Sequence, residues 1–328
     1  MRPAAAPPLA PRPDGAALGA RLVEGDRAAA PAALNLVEDR SPARGAERAA
    51  LLVATGPRAL GGEARAHLVG VTGPPGAGKS SLLGALLTRW RVAGRTVAVL
   101  AVDPSSRRSG GSLLGDRARI EHDADDAGVL IRSAAAGDRL GGLAPATREA
   151  AGVLAPAFDL VVVETVGVGQ SETDVAELCD TVLVVVQPAS GDTLQFLKAG
   201  IMEVPDVLVV TKADLGAPAE RARDELEGAL GVLGGARPPV LLASSLRPAS
   251  GIDAVADALD AHRATVDVGA SRPRARRQSA VAAFAIEHGE AGLRRVGGRR
   301  AALAALEAED PRLDVPELVA ALGRRAAS

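Results

Sequence analysis

The sequence predicts an α/β fold, with a doubly wound and mostly parallel sheet and helical extensions at both ends of the chain. Seven short apolar runs recur through the middle of the chain, and stretches with helical spacing separate most of them. The runs are continuously apolar rather than alternating, which is typical of strands buried on both faces of a parallel sheet. With 47% hydrophobic residues among 328, the chain can fill such a core.

The seven runs give the order of the predicted strands along the chain. They lie at 67–73, 96–103, 129–133, 159–165, 181–187, 206–214 and 239–245. Ligands of doubly wound sheets bind beyond the carboxyl ends of the strands. Polar and glycine-rich segments at those ends are therefore the candidates for a functional site.

Helical spacing flanks this central domain, which we place at 56–265. Residues 16–55 are predicted to form an N-terminal helical extension, with leucines such as Leu18 spaced among charged residues. The first residues, 1–15, are rich in Pro and Ala and are expected to be a disordered tail. Residues 266–328 are predicted to form a C-terminal helical arm rich in Arg.

Two segments of the arm carry specific expectations. The run RPRARR at 272–277 is typical of a solvated helix start, and the alternative is a binding patch for CoA phosphates or nucleic acid. Further on, Asp314 and Glu317 have the spacing of a capping box, and an apolar stripe follows before Gly323. A terminal helix with such a stripe needs a partner surface.

Composition excludes several classes of function. The net charge of -2 gives no basic field for nucleic acid or an anionic membrane, and no apolar run approaches the length of a membrane span. A single cysteine, Cys179, and four histidines predict no disulfide and no metal cluster of the His/Cys type. We expect a cytoplasmic protein; a mitochondrial transit peptide is disfavoured by the prolines and Asp14 near the start.

A glycine-rich segment follows the first predicted strand and opens a helix. It reads GPPGAGKSS and fits the phosphate-loop pattern G-x-x-x-x-G-K-[ST] in the context that the pattern requires. Its backbone N–H groups can surround phosphates, Lys79 can reach the β and γ oxygens, and Ser80 can offer its hydroxyl to Mg²⁺. The predicted phosphate-binding residues are Gly73, Pro74, Pro75, Gly76, Ala77, Gly78, Lys79, Ser80 and Ser81.

Three acidic residues could complete a magnesium site. Asp103 and Glu164 end two predicted strands, and Asp116 follows in GGSLLGD. Mg²⁺ binds few carboxylates together with waters and phosphates. From spacing alone, a cap or a solvated carboxylate explains each residue better, although the position of Asp103 and Glu164 at strand ends beside the loop favours the metal site.

The segment TKAD at 211–214 predicts which base is bound. Asp214 can accept hydrogen bonds from N1–H and the exocyclic amine of guanine, whereas adenine offers neither donor in that arrangement. The chain has only three lysines, and all of them, Lys79, Lys198 and Lys212, lie in candidate nucleotide-site motifs. We therefore predict GTP, with Thr211, Lys212, Asp214, Ser244, Ser245 and Leu246 as base-contacting residues.

Six stretches together resemble the MeaB/ArgK family, the G-protein chaperones of methylmalonyl-CoA mutase and related cobalamin-dependent acyl-CoA mutases. They are GPPGAGKSS, VLAVDPSSRRSGGSLLGD, LGGLAPATREA, VVVETVGVGQSETDVAELCD, GDTLQFLKAGIMEVPD and TKAD. The resemblance covers residues 16–265. The arm at 266–328 matches only loosely.

The resemblance implies a fold of P-loop GTPase type that binds GTP or GDP with Mg²⁺. It assigns the metal to four positions, Ser80, Asp103, Asp116 and Glu164. It makes 105–116 and 164–174 the two switch segments, and Gly167 in the second is expected to contact nucleotide. Two departures from the family pattern are Thr211, where Asn is usual, and the loop at 134–142.

The resemblance also implies partners. The expected client is a cobalamin-dependent acyl-CoA mutase, with its adenosyltransferase as a further candidate partner, and the function is to gate loading and protection of the mutase cofactor. Asp192 and Lys198 would lie in a loop that communicates with the mutase, although a solvated helix explains Lys198 equally well. The C-terminal arm is expected to build a homodimer.

Catalysis is expected to be slow without a partner. Lys79, Arg108 and Gln170 are the candidate catalytic residues. No Gln directly follows Gly167; Gln170 comes three residues later, and Arg108 could equally pair with a surface carboxylate.

Three alternative functions fit a phosphate loop. A small-molecule P-loop kinase would use ATP and would not need TKAD. A metal-insertion GTPase normally needs His and Cys ligands, and a targeting GTPase of the signal-recognition type needs a Met-rich domain, yet the chain has only two methionines.

Overall fold

A computed structural model describes residues 14–103, 120–135, 143–165, 170–188, 205–233 and 237–327. Its centre is a sheet with the strand order β3-β2-β4-β1-β5-β6-β7, and every pair of neighbouring strands is parallel. The strands are β1 (His67–Thr72), β2 (Val97–Asp103), β3 (Val129–Ala135), β4 (Leu160–Thr165), β5 (Thr181–Val186), β6 (Val207–Val210) and β7 (Val240–Leu242). The α/β prediction and all seven predicted strands are confirmed.

Helices cover both faces of the sheet, and this explains why the strands are apolar throughout. On one face lie α5 (Lys79–Val92) and α9 (Ile252–Thr265). On the other face lie α6 (Pro145–Leu154), α7 (Gln170–Leu178) and α8 (Ala217–Leu233). Along β1, alternate residues belong to the two cores: Leu68 packs under the second face and Val69 under the first.

The N-terminal extension is helical, as predicted, and forms part of the second core. It contains α1 (Gly15–Val23), α2 (Ala30–Glu38), α3 (Gly45–Thr55) and the short α4 (Pro57–Leu60). Leu22, Leu34 and Leu51 are fully buried in the same cluster as the sheet residues. These helices therefore stabilise the sheet directly.

The C-terminal arm has a small core of its own. It consists of α10 (Val268–Arg295), which is broken at Gly289, α11 (Gly298–Glu307) and α12 (Val315–Ala327). Phe284, Leu306 and Leu322 are fully buried between these helices. The apolar stripe of the last helix thus finds its partner surface within the same chain.

The predicted capping box at the start of α12 is present. The Glu317 N–H donates to Asp314 Oδ1 at 2.9 Å, and the Asp314 N–H donates to Glu317 Oε2 at 3.1 Å. The helix does not stop before Gly323, however, but runs through it to Ala327. A single glycine in a helix costs only about 1 kcal/mol relative to Ala, so the packing of the stripe outweighs it.

The expectation that RPRARR is a solvated helix start is wrong, because most of its arginines are bound within the protein. Arg272 makes a bidentate ion pair with Asp180, whose side chain is only 1% exposed, with N···O distances of 2.9 and 2.6 Å. Its guanidinium also donates to the backbone carbonyls of Ala64 and Ala66 at 2.7 and 2.6 Å. This arginine therefore joins the arm to the amino end of the sheet.

Two further arginines of the run are engaged in the same way. Arg276 forms a bidentate pair with Glu63 at 2.7 and 2.9 Å, and Arg277 donates to the Leu306 carbonyl at 3.1 Å. Arg274, by contrast, is exposed. Arg272 and Arg276 thus fasten the arm to residues that lie far away in sequence, whereas Arg277 joins α10 to α11 within the arm.

Within the described ranges, no helix is both long enough and apolar enough to cross a membrane.

Candidate nucleotide-binding site

The glycine-rich loop lies between β1, at the centre of the sheet, and α5. Gly73, Gly76 and Gly78 have φ angles of 144°, 77° and 88°, which side chains rarely allow. A Cβ on Gly73 would also lie 2.1 Å from the carbonyl oxygen of Val185 on β5. The loop can therefore wrap closely around a ligand only because these positions are glycine.

Lys79 opens α5 and is buried in the loop, with only 7% of the residue exposed. Its ammonium donates to the carbonyls of Gly73 at 2.8 Å and Pro74 at 3.1 Å. Burial lowers the pKa of Lys79, and the nearby carboxylate of Glu164 opposes that shift. A buried ammonium beside a helix N-terminus fits the β and γ phosphates of a nucleotide.

The other residues of the GPPGAGKSS segment differ in their exposure to solvent. Pro74 and Ala77 are buried, whereas Pro75, Gly76 and Ser81 are exposed on the outer side of the loop. The Ala77 N–H donates to the Pro74 carbonyl at 3.2 Å and closes the turn. The loop is therefore anchored on its inner side and open on its outer side.

Ser80 and Glu164 lie together beside the loop. The Ser80 hydroxyl donates to Glu164 Oε1 at 3.0 Å, and Glu164 is buried near the end of β4, the strand next to β1. A hydroxyl and a carboxylate are hard oxygen donors of the kind that Mg²⁺ prefers, so the pair fits the predicted metal. Asp103 ends β2, the neighbour of β4, but its side chain and the whole of Asp116 fall outside the described residues.

Thr211 joins the base-recognition segment to the phosphate loop. It is buried, its hydroxyl donates to the Ala77 carbonyl at 2.6 Å, and the same oxygen lies 3.0 Å from the Val186 carbonyl. The sequence predicted Thr211 among the base-contacting residues. Its only hydroxyl proton is directed at the backbone, so in this structure it holds the two segments together.

The two predicted base-contacting segments meet next to this link. The Ser244 hydroxyl donates to Asp214 Oδ1 at 2.6 Å, and the Leu246 N–H donates to the Ser244 oxygen at 3.3 Å. Asp214 and Leu246 are exposed, whereas Ser245 is half-buried. Ser244 thus orients a carboxylate that stays open to a ligand.

Lys212 is held in a backbone conformation that is rare outside glycine, with φ 56°. Its ammonium donates to the side-chain oxygen of Gln187, the residue that follows β5. Gln187 was not among the predicted site residues. Its position at the end of the predicted strand 181–187 was the available signal.

Several predicted residues cannot be placed. Gln170 begins α7, although its side chain is outside the described part of the chain. Arg108, Gly167, Asp192 and Lys198 also lie outside the described residues, as does most of the loop at 134–142. The described residues therefore bring together the phosphate loop, the Ser80–Glu164 pair and the base-recognition segments at the carboxyl end of the sheet.

One family model and several known proteins match this chain. The model of the methylmalonyl-CoA mutase-associated GTPase MeaB matches residues 30–295. A putative GTPase of Caulobacter vibrioides is 43% identical over 258 residues, which cover 77% of this chain and 78% of that protein. The mitochondrial methylmalonic aciduria type A homolog of Caenorhabditis elegans is 42% identical over 221 residues, 64% of this chain and 55% of that protein.

The fold has a counterpart among solved structures. A crystal structure of a LAO/AO transport system kinase aligns with a TM-score of 0.66 at 29% identity, and the alignment covers 98% of this chain and 100% of the other. The phosphate loop, the TKAD segment and the match over most of the length agree with one another. The chain belongs to the MeaB family of methylmalonyl-CoA mutase-associated GTPases.

Proposed function

We propose that this protein is a Mg²⁺-dependent GTPase that acts as a chaperone of a cobalamin-dependent acyl-CoA mutase of the methylmalonyl-CoA mutase type. In this role, hydrolysis of GTP to GDP and phosphate gates the loading and protection of the mutase cofactor. The observation that carries the nucleotide assignment is the hydrogen bond between Thr211 and the Ala77 carbonyl. It fixes the guanine-recognition segment against the phosphate loop, so that both can contact one nucleotide.

Each candidate site residue has its own role in this proposal. Lys79 would place its ammonium where the β and γ phosphates bind. Asp214 accepts from the base, and the Ser80–Glu164 pair would hold Mg²⁺ with Asp103 and Asp116. When bound, Mg²⁺ offsets negative charge on the phosphate oxygens. Gly167 would contact nucleotide, and Gln170 and Arg108 would orient the water and stabilise the γ-phosphate charge.

The names of related proteins support the choice of partner. The family model names methylmalonyl-CoA mutase, and the nematode relative is named for methylmalonic aciduria. We propose a mutase of this class as the client in the cytoplasm, with its adenosyltransferase as a second partner.

Within the chain, 56–265 would be the GTPase domain and 266–328 the dimerisation arm. A homodimer would show a mass of twice 33.0 kDa by light scattering.

We expect hydrolysis by the protein alone to be well below ~1 s⁻¹, slower than most enzymes. The cognate mutase should raise it at least about tenfold, because its binding would align the attacking water with the charge-stabilising groups. Phosphate release at saturating GTP, with and without the mutase, measures both rates. Lys198→Ala should reduce the stimulation more than the basal rate.

Equal turnover with and without the mutase would refute gating while leaving GTP hydrolysis intact. The same assay tests the kinase alternative. A P-loop kinase would prefer ATP and would release little phosphate without an acceptor, whereas we expect release from GTP alone.

A further inference from the structure

A single arginine, Arg148, connects three helices, α6, α7 and α10. Arg148 lies on α6, and its guanidinium donates to the Ser279 hydroxyl on α10 at 3.0 Å. It also donates to Glu177 Oε2 on α7 at 3.3 Å, and Asp174 Oδ1 on α7 is 3.8 Å away. Its side chain is 19% exposed. The arginine is therefore a largely buried junction between α7 and the C-terminal arm.

Helix α7 is the element through which this junction could affect the reaction. It begins at Gln170, six residues after Glu164. Glu164 is the residue of β4 that we propose as a metal ligand. Helix α7 lies very close to β1, since a Cβ on Gly70 would be 2.1 Å from Val175 Cγ1. Asp174 Oδ2 also accepts from the Leu143 N–H at 2.8 Å. Packing and hydrogen bonds thus fix the middle and the end of α7. Because a helix is rigid, they also fix the orientation of its first turn.

The arm provides Arg148 with a fixed support. Ser279 lies seven residues, two helical turns, after Arg272 on α10. Arg272 is in turn bound to Asp180, two residues beyond the end of α7. Helix α10 is consequently joined to the α7 region at two places along its length.

We propose that Arg148 is a positioning residue for GTP hydrolysis, which holds α7, the helix that begins six residues after Glu164, in the orientation that the reaction needs, and that Ser279 of the C-terminal arm supports it. This inference rests on the proposed function of the site. It gives the arm a role in the reaction of its own subunit, in addition to dimerisation. Arg148 itself touches neither nucleotide nor metal.

The expected changes in stability and in reaction rate distinguish a positioning role from a purely structural one. The carboxylates that Arg148 meets are partly exposed, with 23% for the Asp174 side chain and 37% for Glu177. Ion pairs with that much solvent access typically contribute only about 0–1 kcal/mol to stability. A small displacement of a reacting group can nevertheless reduce a rate by up to about 100-fold. The rate should therefore respond more than the stability.

The experiment compares four variants of the full-length protein: Arg148→Met, Arg148→Lys, Ser279→Ala and the control Arg221→Met. Arg221 is exposed on α8. The measurements are the basal kcat and KM for GTP, GDP affinity by calorimetry and the melting temperature. We expect Arg148→Met to lower kcat by about five- to tenfold while KM, GDP affinity and melting temperature stay close to wild type. Ser279→Ala should lower kcat by about twofold and Arg221→Met should leave it unchanged.

Two comparisons between variants test the role of the guanidinium group and the role of Ser279. Arg148→Lys keeps the charge but loses the planar fork, so its kcat should fall between wild type and Arg148→Met. Combining Ser279→Ala with Arg148→Met should lower kcat no further than Arg148→Met alone, because both changes break the same contact. Additive losses would overturn the role of Ser279.

The possible failures are distinguishable. If wild type hydrolyses GTP and Arg148→Met has the same kcat, this inference is refuted and the proposed function stands. If Arg148→Met loses kcat, GDP affinity and thermal stability in proportion, Arg148 is a structural residue and the inference is equally refuted. If wild type itself releases no phosphate from GTP, the proposed function and the inference both fall.

Discussion

Replacing Arg272 with Met is expected to lower the free energy of unfolding by about 3–5 kcal/mol, the range found when one partner of a buried ion pair is removed. The change removes the bidentate partner of the Asp180 carboxylate, which is 1% exposed, and leaves it with the longer, single contact to Arg263 Nε at 3.4 Å. The carbonyls of Ala64 and Ala66 lose their donors at the same time. Urea denaturation of the purified protein, followed by far-UV circular dichroism, measures the change.

The control for this prediction lies on the same helix. Arg274 is exposed, so Arg274→Met should change the free energy of unfolding by less than about 0.5 kcal/mol. Adding Asp180→Asn to Arg272→Met should recover part of the loss, because the buried charge is then removed as well. If Arg272→Met were as stable as Arg274→Met, the ion pair would not be what fastens the arm.

Asp214→Asn is expected to weaken GTP binding by about 2–4 kcal/mol, since a charge-assisted bidentate contact with N1–H and the exocyclic amine of guanine is lost. Isothermal titration calorimetry against GTP gives the value directly. The Ser244→Ala variant should show a smaller loss, because the carboxylate stays in place and loses only the hydroxyl that orients it at 2.6 Å.

A second nucleotide distinguishes loss of selectivity from loss of structure. Xanthine carries a carbonyl where guanine carries the amine, and the side-chain amide introduced by Asp214→Asn can donate to that carbonyl. The variant should therefore bind xanthosine triphosphate better than GTP. Equal binding of ATP and GTP by the wild type would show that the base assignment is wrong.

The sheet could be predicted from sequence because its strands carry a local signal. Each strand is buried on both faces and is therefore continuously apolar, and β1 and β5 show this without any knowledge of their neighbours. The capping box at Asp314 was also predictable, since its two partners are three residues apart. The same holds for the phosphate loop, whose glycines are dictated by backbone angles within the loop.

The missed features depend on residues far apart in the chain. RPRARR has the composition of a solvated helix, and only the fold brings Asp180 and Glu63 to it. Thr211 was assigned to base contact because its motif is local, whereas the carbonyl it binds belongs to Ala77, 134 residues earlier. Side-chain partners across such separations have no periodicity that a sequence could reveal.

The pairing of Asp180 with Arg272 also bears on the order of events during synthesis. The arginine follows its carboxylate by 92 residues, which a ribosome adds in roughly 5–20 s. Until then, β5 carries at its start a carboxylate that cannot be enclosed without a counter-charge. A first cation arrives nine residues earlier with Arg263 of α9, whose Nε lies 3.4 Å from Asp180 Oδ2. The bidentate partner follows with α10, so about the last fifth of the polypeptide, from residue 268, completes a cluster of charges that begins just before β5.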